Sequence, residues 1–114
     1  MEINKAEAGS VVVLRLDGDI DAEGVNKLRV ALLHCLKEQR HNVVINMHGV
    51  GLVSYMGLGV LVERLRQFRV LGGDLKLVGI NVATERLFRM AGVGALFEVY
   101  ESENQATQVF ADAA

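Results

Sequence analysis

Three short aliphatic runs, Val11 to Leu16, Val43 to Met47 and Leu75 to Ile80, are separated by stretches whose apolar residues recur every three or four positions. The runs have the length of buried strands, and the stretches between them have the period of helices. Strands alternating with helices long enough to cross a sheet confine a chain to a largely parallel α/β architecture.

The remaining segments extend the same scheme. Met1 to Ala6 reads as an edge strand, and the turn at Ala8-Gly9-Ser10 joins it to the first run as an antiparallel hairpin. Asp21 is an N-cap, with Glu23 in the first turn of a helix whose face is Val25, Leu28, Leu32 and Cys35. Leu58, Leu61, Val62, Leu65 and Phe68 mark a second helix, with Glu63, Arg64, Arg66, Gln67 and Arg69 on its polar side and Gly72-Gly73 as its stop. Ala83, Leu87 and Met90 predict a short third helix closed by Gly92. Leu96 to Tyr100 predicts a last strand, and Ala106, Val109, Phe110 and Ala113 a final helix. The expectation is one α/β domain over residues 1–114, with a mixed, mostly parallel sheet, an N-terminal β-hairpin and about four helices.

Composition narrows the function. The chain of 114 residues carries a net charge of −2, which gives no general attraction to nucleic acid or anionic lipid. Aromatic residues are only 5% of the chain, too few to stack single-stranded bases. No apolar run approaches a membrane span of about 20 residues, and Glu2, Lys5 and Glu7 interrupt any signal-like start. The single cysteine, Cys35, suits a reducing compartment. A cytoplasmic protein without direct membrane insertion is expected.

No catalytic or metal constellation assembles from spacing. Asp17, Asp19 and Asp21 alternate like the start of a calcium loop, but Ala22 and Leu28 stand where that loop needs glycine and glutamate. His34, His41 and His48 form no paired-ligand spacing, and Cys35 lies on an apolar face. Gly57-Leu58-Gly59 opens a helix like a dinucleotide fingerprint but has Val62 where the third glycine belongs; the plain reading is close packing in a tight turn. Residues 63 to 90 hold six basic side chains (Arg64, Arg66, Arg69, Lys76, Arg86 and Arg89) against three acidic ones, and residues 98 to 112 hold four acidic ones and no basic ones, which reads chiefly as solvated helix faces.

The most informative stretch is His48-Gly49-Val50-Gly51-Leu52-Val53-Ser54-Tyr55-Met56-Gly57-Leu58-Gly59, a loop leading from the second run into the second helix. With Val60-Leu61 it resembles the central signature of STAS domains, the family of bacterial anti-sigma factor antagonists, whose usual string is Ser-Gly-Val-x-x-(aliphatic)-Asp-Ser-Ser-Gly-Leu-Gly. Leu16-Asp17-Gly18-Asp19-Ile20-Asp21 resembles that family's Leu-x-Gly-x-Leu/Ile-Asp entry. Arg86-Leu87-Phe88-Arg89-Met90-Ala91-Gly92 and Leu96-Phe97-Glu98-Val99-Tyr100 resemble its later helix and strand. The similarity covers nearly the whole chain.

The resemblance implies a STAS fold and a non-enzymatic role without cofactor or metal. It implies binding to a protein partner, a kinase-type anti-sigma factor, by a monomer or weak dimer. In the family the second serine of Asp-Ser-Ser-Gly is phosphorylated. Here Ser54 stands for the aspartate, Tyr55 for the first serine and Met56 for the phosphoserine. Methionine has no hydroxyl to accept a phosphoryl group, so phosphorylation at the usual position is not expected. The implied partner surface combines Asp21, Ser54, Tyr55, Met56 and Gly57 with the exposed face of the second helix. Ser54 is an N-cap and the alternative phosphosite. The other readings are a scaffold or regulatory subunit of a transport ATPase or signalling complex, and nucleotide binding at the loop.

Overall fold

The computed structural model describes residues 1–113. In chain order the elements are β1 (Glu2–Ala8), β2 (Val11–Asp17), α1 (Ala22–Lys37), β3 (Asn42–Gly49), α2 (Tyr55–Val70), β4 (Asp74–Val78), α3 (Val82–Met90), a 3-10 turn (Gly94–Leu96), β5 (Val99–Tyr100) and α4 (Glu103–Ala113). The sheet runs β1-β2-β3-β4-β5, in sequence order. The β1–β2 pair is antiparallel, and the other pairs are parallel. The hairpin, the mostly parallel sheet and the four helices are those expected from the sequence.

Strand alternation sends side chains to two faces. Val12, Leu14, Leu16, Val43, Ile45, Met47, Leu75 and Leu77 meet the buried faces of α1 and α2 and Phe88 of α3 in the main core. Val11, Val13, Val44 and Val78 point the other way and meet Ala106 and Phe110 of α4. Thus α1, α2 and α3 cover one face and α4 the other.

Each helix starts where a side chain satisfies an otherwise unpaired N–H. Asp21 accepts from the Gly24 amide, Ser54 from Gly57 and Asn81 from Thr84. The predicted Val25, Leu28, Leu32 and Cys35 face of α1 is buried.

Some local expectations differ from the structure. α2 begins three residues before Leu58, because Ser54 caps it. Arg64, placed on the polar side by its charge, is 7% exposed; its guanidinium donates to Gln67 Oε1 and to the Arg29 carbonyl. Lys76 is also buried, between Asp74 Oδ2 at 2.9 Å and Glu98 Oε2 at 3.1 Å, with its ammonium 4.6 Å from the Phe110 ring centroid. The six basic residues between 63 and 90 therefore do not form one solvated surface. α3 turns Thr84 and Phe88 inward, leaving Met90 and Ala83 exposed. Of the predicted last strand, Leu96 ends the 3-10 turn, Phe97 and Glu98 are irregular, and only Val99 and Tyr100 pair with β4.

Candidate functional site

The loop between β3 and α2 lies at the carboxyl end of the parallel strands, where the N-termini of α1, α2 and α3 also gather. It is held from two sides. On the α1 side, Ile20 and Val53 form a parallel bridge; the Ile20 amide donates to the Leu52 carbonyl at 2.8 Å and the Ser54 amide to the Ile20 carbonyl at 2.9 Å. Asp19 adds a carboxylate oxygen that accepts from the Leu52 amide at 3.0 Å. On the α3 side, the Asn81 amide group donates to the carbonyls of Val50 at 3.2 Å and Gly51 at 2.8 Å.

The bridge makes Asp21 and Ser54, the next residue on each side, neighbours in the fold. Both are occupied as caps: Asp21 Oδ1 lies 2.9 Å from the Gly24 amide nitrogen and Ser54 Oγ 3.0 Å from that of Gly57. Gly57 is buried, and a Cβ there would lie 2.6 Å from Ile20 Cγ2. Gly57 is thus a packing position that lets α2 approach Ile20, and it adds no side chain to the surface. The same contact accounts for the glycine that resembled a dinucleotide loop.

What the loop exposes is apolar. Leu52 is 65%, Tyr55 73% and Met56 62% exposed. Single exposed apolar side chains are ordinary, and Val70, Val82 and Met90 are exposed as far elsewhere; what sets these three apart is that they fall within five consecutive residues at one helix start. Met56 does not plug the core. Thr84, in the first turn of α3, is buried. Cys35 is buried as well, and loss of solvent pushes its thiol pKa up, which disfavours the reactive thiolate. Among the described residues no cluster of three or more His, Cys, Asp or Glu is arranged to hold a metal ion. No described helix is long and apolar enough to cross a membrane.

Two residues of this site were not assigned to it from the sequence. In the sequence Asp19 stands out only through its alternation with Asp17 and Asp21, and Asn81 carries no motif. Asn81 immediately precedes the apolar rise of a helix, a capping signal that was open to reading. Its second role, reaching back about thirty residues to the loop, has no local signature.

A family model described as the STAS domain matches residues 2–106. The chain belongs to the STAS domain family. An anti-sigma F factor antagonist of Paenibacillus polymyxa is 22% identical over 107 residues, covering 93% of this chain and 92% of that one. Solved STAS structures share the fold. A putative anti-sigma factor antagonist of Thermotoga maritima superposes with a TM-score of 0.87 at 19% identity, covering 93% of this chain and 92% of that one. The anti-sigma factor antagonist SpoIIAA in its unphosphorylated form gives 0.85 at 18% identity, covering 97% of each chain. The resemblance carried by the loop and the entry motif thus holds for the family and for the fold.

Proposed function

We propose that this STAS domain is an anti-sigma factor antagonist-like regulator that binds a kinase-type anti-sigma factor, without phosphorylation at Met56. The domain acts by contact and not by catalysis, in the cytoplasm, as a monomer or weak dimer. It uses neither nucleic acid nor a cofactor. The names of the relatives support the class of partner. The observation that carries the reading is the pinned loop presenting Leu52, Tyr55 and Met56 to solvent at the family's signature position. A rigid apolar surface binds without first being ordered, which removes part of the entropic cost of association. Asp21 and Ser54 complete the surface as polar neighbours.

The test is calorimetric titration of the source organism's kinase-type anti-sigma factors, expressed one at a time. Met56→Asp places a carboxylate in the first turn of α2, where it suits the helix dipole, so the fold is retained. A hot-spot residue lost in this way weakens binding by roughly tenfold or more. Unchanged affinity in Met56→Asp would show that the inherited position has been abandoned. Failure of every anti-sigma factor to bind, with a transporter component co-purifying instead, would favour the scaffold role.

A further inference from the structure

We propose that Met56 is a reversible oxidation site. On this proposal, converting its thioether to the sulfoxide with a peroxide or hypohalous acid turns the contact patch from binding to non-binding. The inference rests on the patch being the partner surface.

The chain's sulfur inventory is small and sorted by burial. Of one cysteine and four methionines, Cys35 and Met47 are buried and Met1 is packed against the core. Met56 and Met90 stand in solvent, at 62% and 74% exposure. Met90 is the last residue of α3. That puts it roughly 12 Å along the helix from Val82, next to the cap that holds the loop. Of the two exposed methionines, Met56 alone belongs to the proposed contact surface with Leu52 and Tyr55. An oxidant arriving from solvent therefore meets the patch before it meets the core.

The chemistry balances without a protein catalyst. The sulfur lone pair attacks one oxygen of hydrogen peroxide and the O–O bond breaks. An S–O bond forms, and the departing hydroxide takes up a proton and leaves as water. Sulfur gives up two electrons and peroxide takes them. A dithiol reductase returns the two electrons and releases the oxygen as water. The product is a polar side chain in place of an apolar one. In a desolvated contact the new oxygen lacks a hydrogen-bond partner, which opposes binding. Phosphorylation achieves disruption by charge; here a neutral dipole does so at the same helix start.

The experiment uses the full chain and the anti-sigma factor that binds it. The reduced protein is titrated first; if it binds none, the partner reading falls and this inference falls with it. The protein is then treated with hydrogen peroxide, mapped by peptide mass spectrometry and titrated again. Sulfoxide is expected at Met56 and Met90 ahead of Met47, with affinity lowered by roughly tenfold, the scale on which a buried unpaired polar group acts. Methionine sulfoxide reductase should restore it. Met56→Leu should bind and be indifferent to peroxide, and Met90→Leu should stay sensitive. Unchanged affinity of the protein oxidised at Met56 would overturn the proposal. So would equal sensitivity in Met56→Leu, or a Met56 that survives while Met90 is converted.

Discussion

Gly57 and Gly59 stand two positions apart on α2 and answer to opposite constraints. A Cβ on Gly57 would press on Ile20 and Val53, whereas one on Gly59 would meet nothing within 4 Å. Gly59→Ala should therefore stabilise the protein by about 1 kcal/mol, the difference in helix propensity. Gly57→Ala should cost about 1–3 kcal/mol, as overpacking does. Urea unfolding of the two variants checks both signs. At this scale the sequence was legible wherever a side chain acts on its own neighbourhood: Asp21 and Ser54 cap the helices they precede, and Cys35 is a small core residue. It was silent on Gly59, because the same residue type fills a crowded site and an open one. It misled on Arg64, whose charge suggested solvent while its place in the helix carries it under Arg29 and Gln67.

The elements show a similar division. The buried face of α1 follows the apolar period, with Gly24 added, and α2 buries Leu58, Leu61, Leu65 and Phe68 as the period predicts but adds Gly57, Val60 and Arg64. α3 departs from the period: it is short and docked mainly through Phe88, and Ala83 and Met90 mimicked an inward stripe that Thr84 and Phe88 form. Leu96 to Tyr100 is as apolar as a strand should be, but Leu96 still belongs to the 3-10 turn, and the strand is confined to Val99 and Tyr100, which pair with Leu77 and Val78 at the end of β4. The loop before α2 depends on both of its neighbours. Asn81→Ala should cost about 1 kcal/mol through the lost cap alone. It should also free the Val50 and Gly51 carbonyls, so that the Leu52 amide exchanges faster with solvent. Ser54→Ala should show the cap loss with less effect on that amide. Denaturant titration and hydrogen exchange on both variants separate the two effects.

At the scale of the whole molecule, the apolar contacts of α4 with the second face of the sheet are joined by an acidic latch. Glu103, at the start of α4, accepts two hydrogen bonds from Arg15 at 2.8 Å each and one from Asn46 at 2.7 Å. The Arg15 hydrogen bonds, more than offsetting partial burial and helped by Asn46, pull the Glu103 pKa down to about 2. The unfolded chain protonates this carboxyl near about 4.3. The folded value is depressed, so the stabilisation is present above about pH 4.3 and is lost as pH falls towards 2. Glu103→Gln should be less stable at neutral pH, and the gap from the parent should close across that acid window in a series of thermal melts.

The sheet order has a consequence for how the chain assembles. Every strand lies beside the strand that precedes it, so no pairing waits for a segment from the far end of the sequence. Loops that close over short separations form early and cost little entropy. During synthesis the hairpin can form first and take on β3, then β4, each with its covering helix, as the chain emerges. Only α4 must come back across earlier work, and Glu103, reaching to β2, is the residue that signs the structure off.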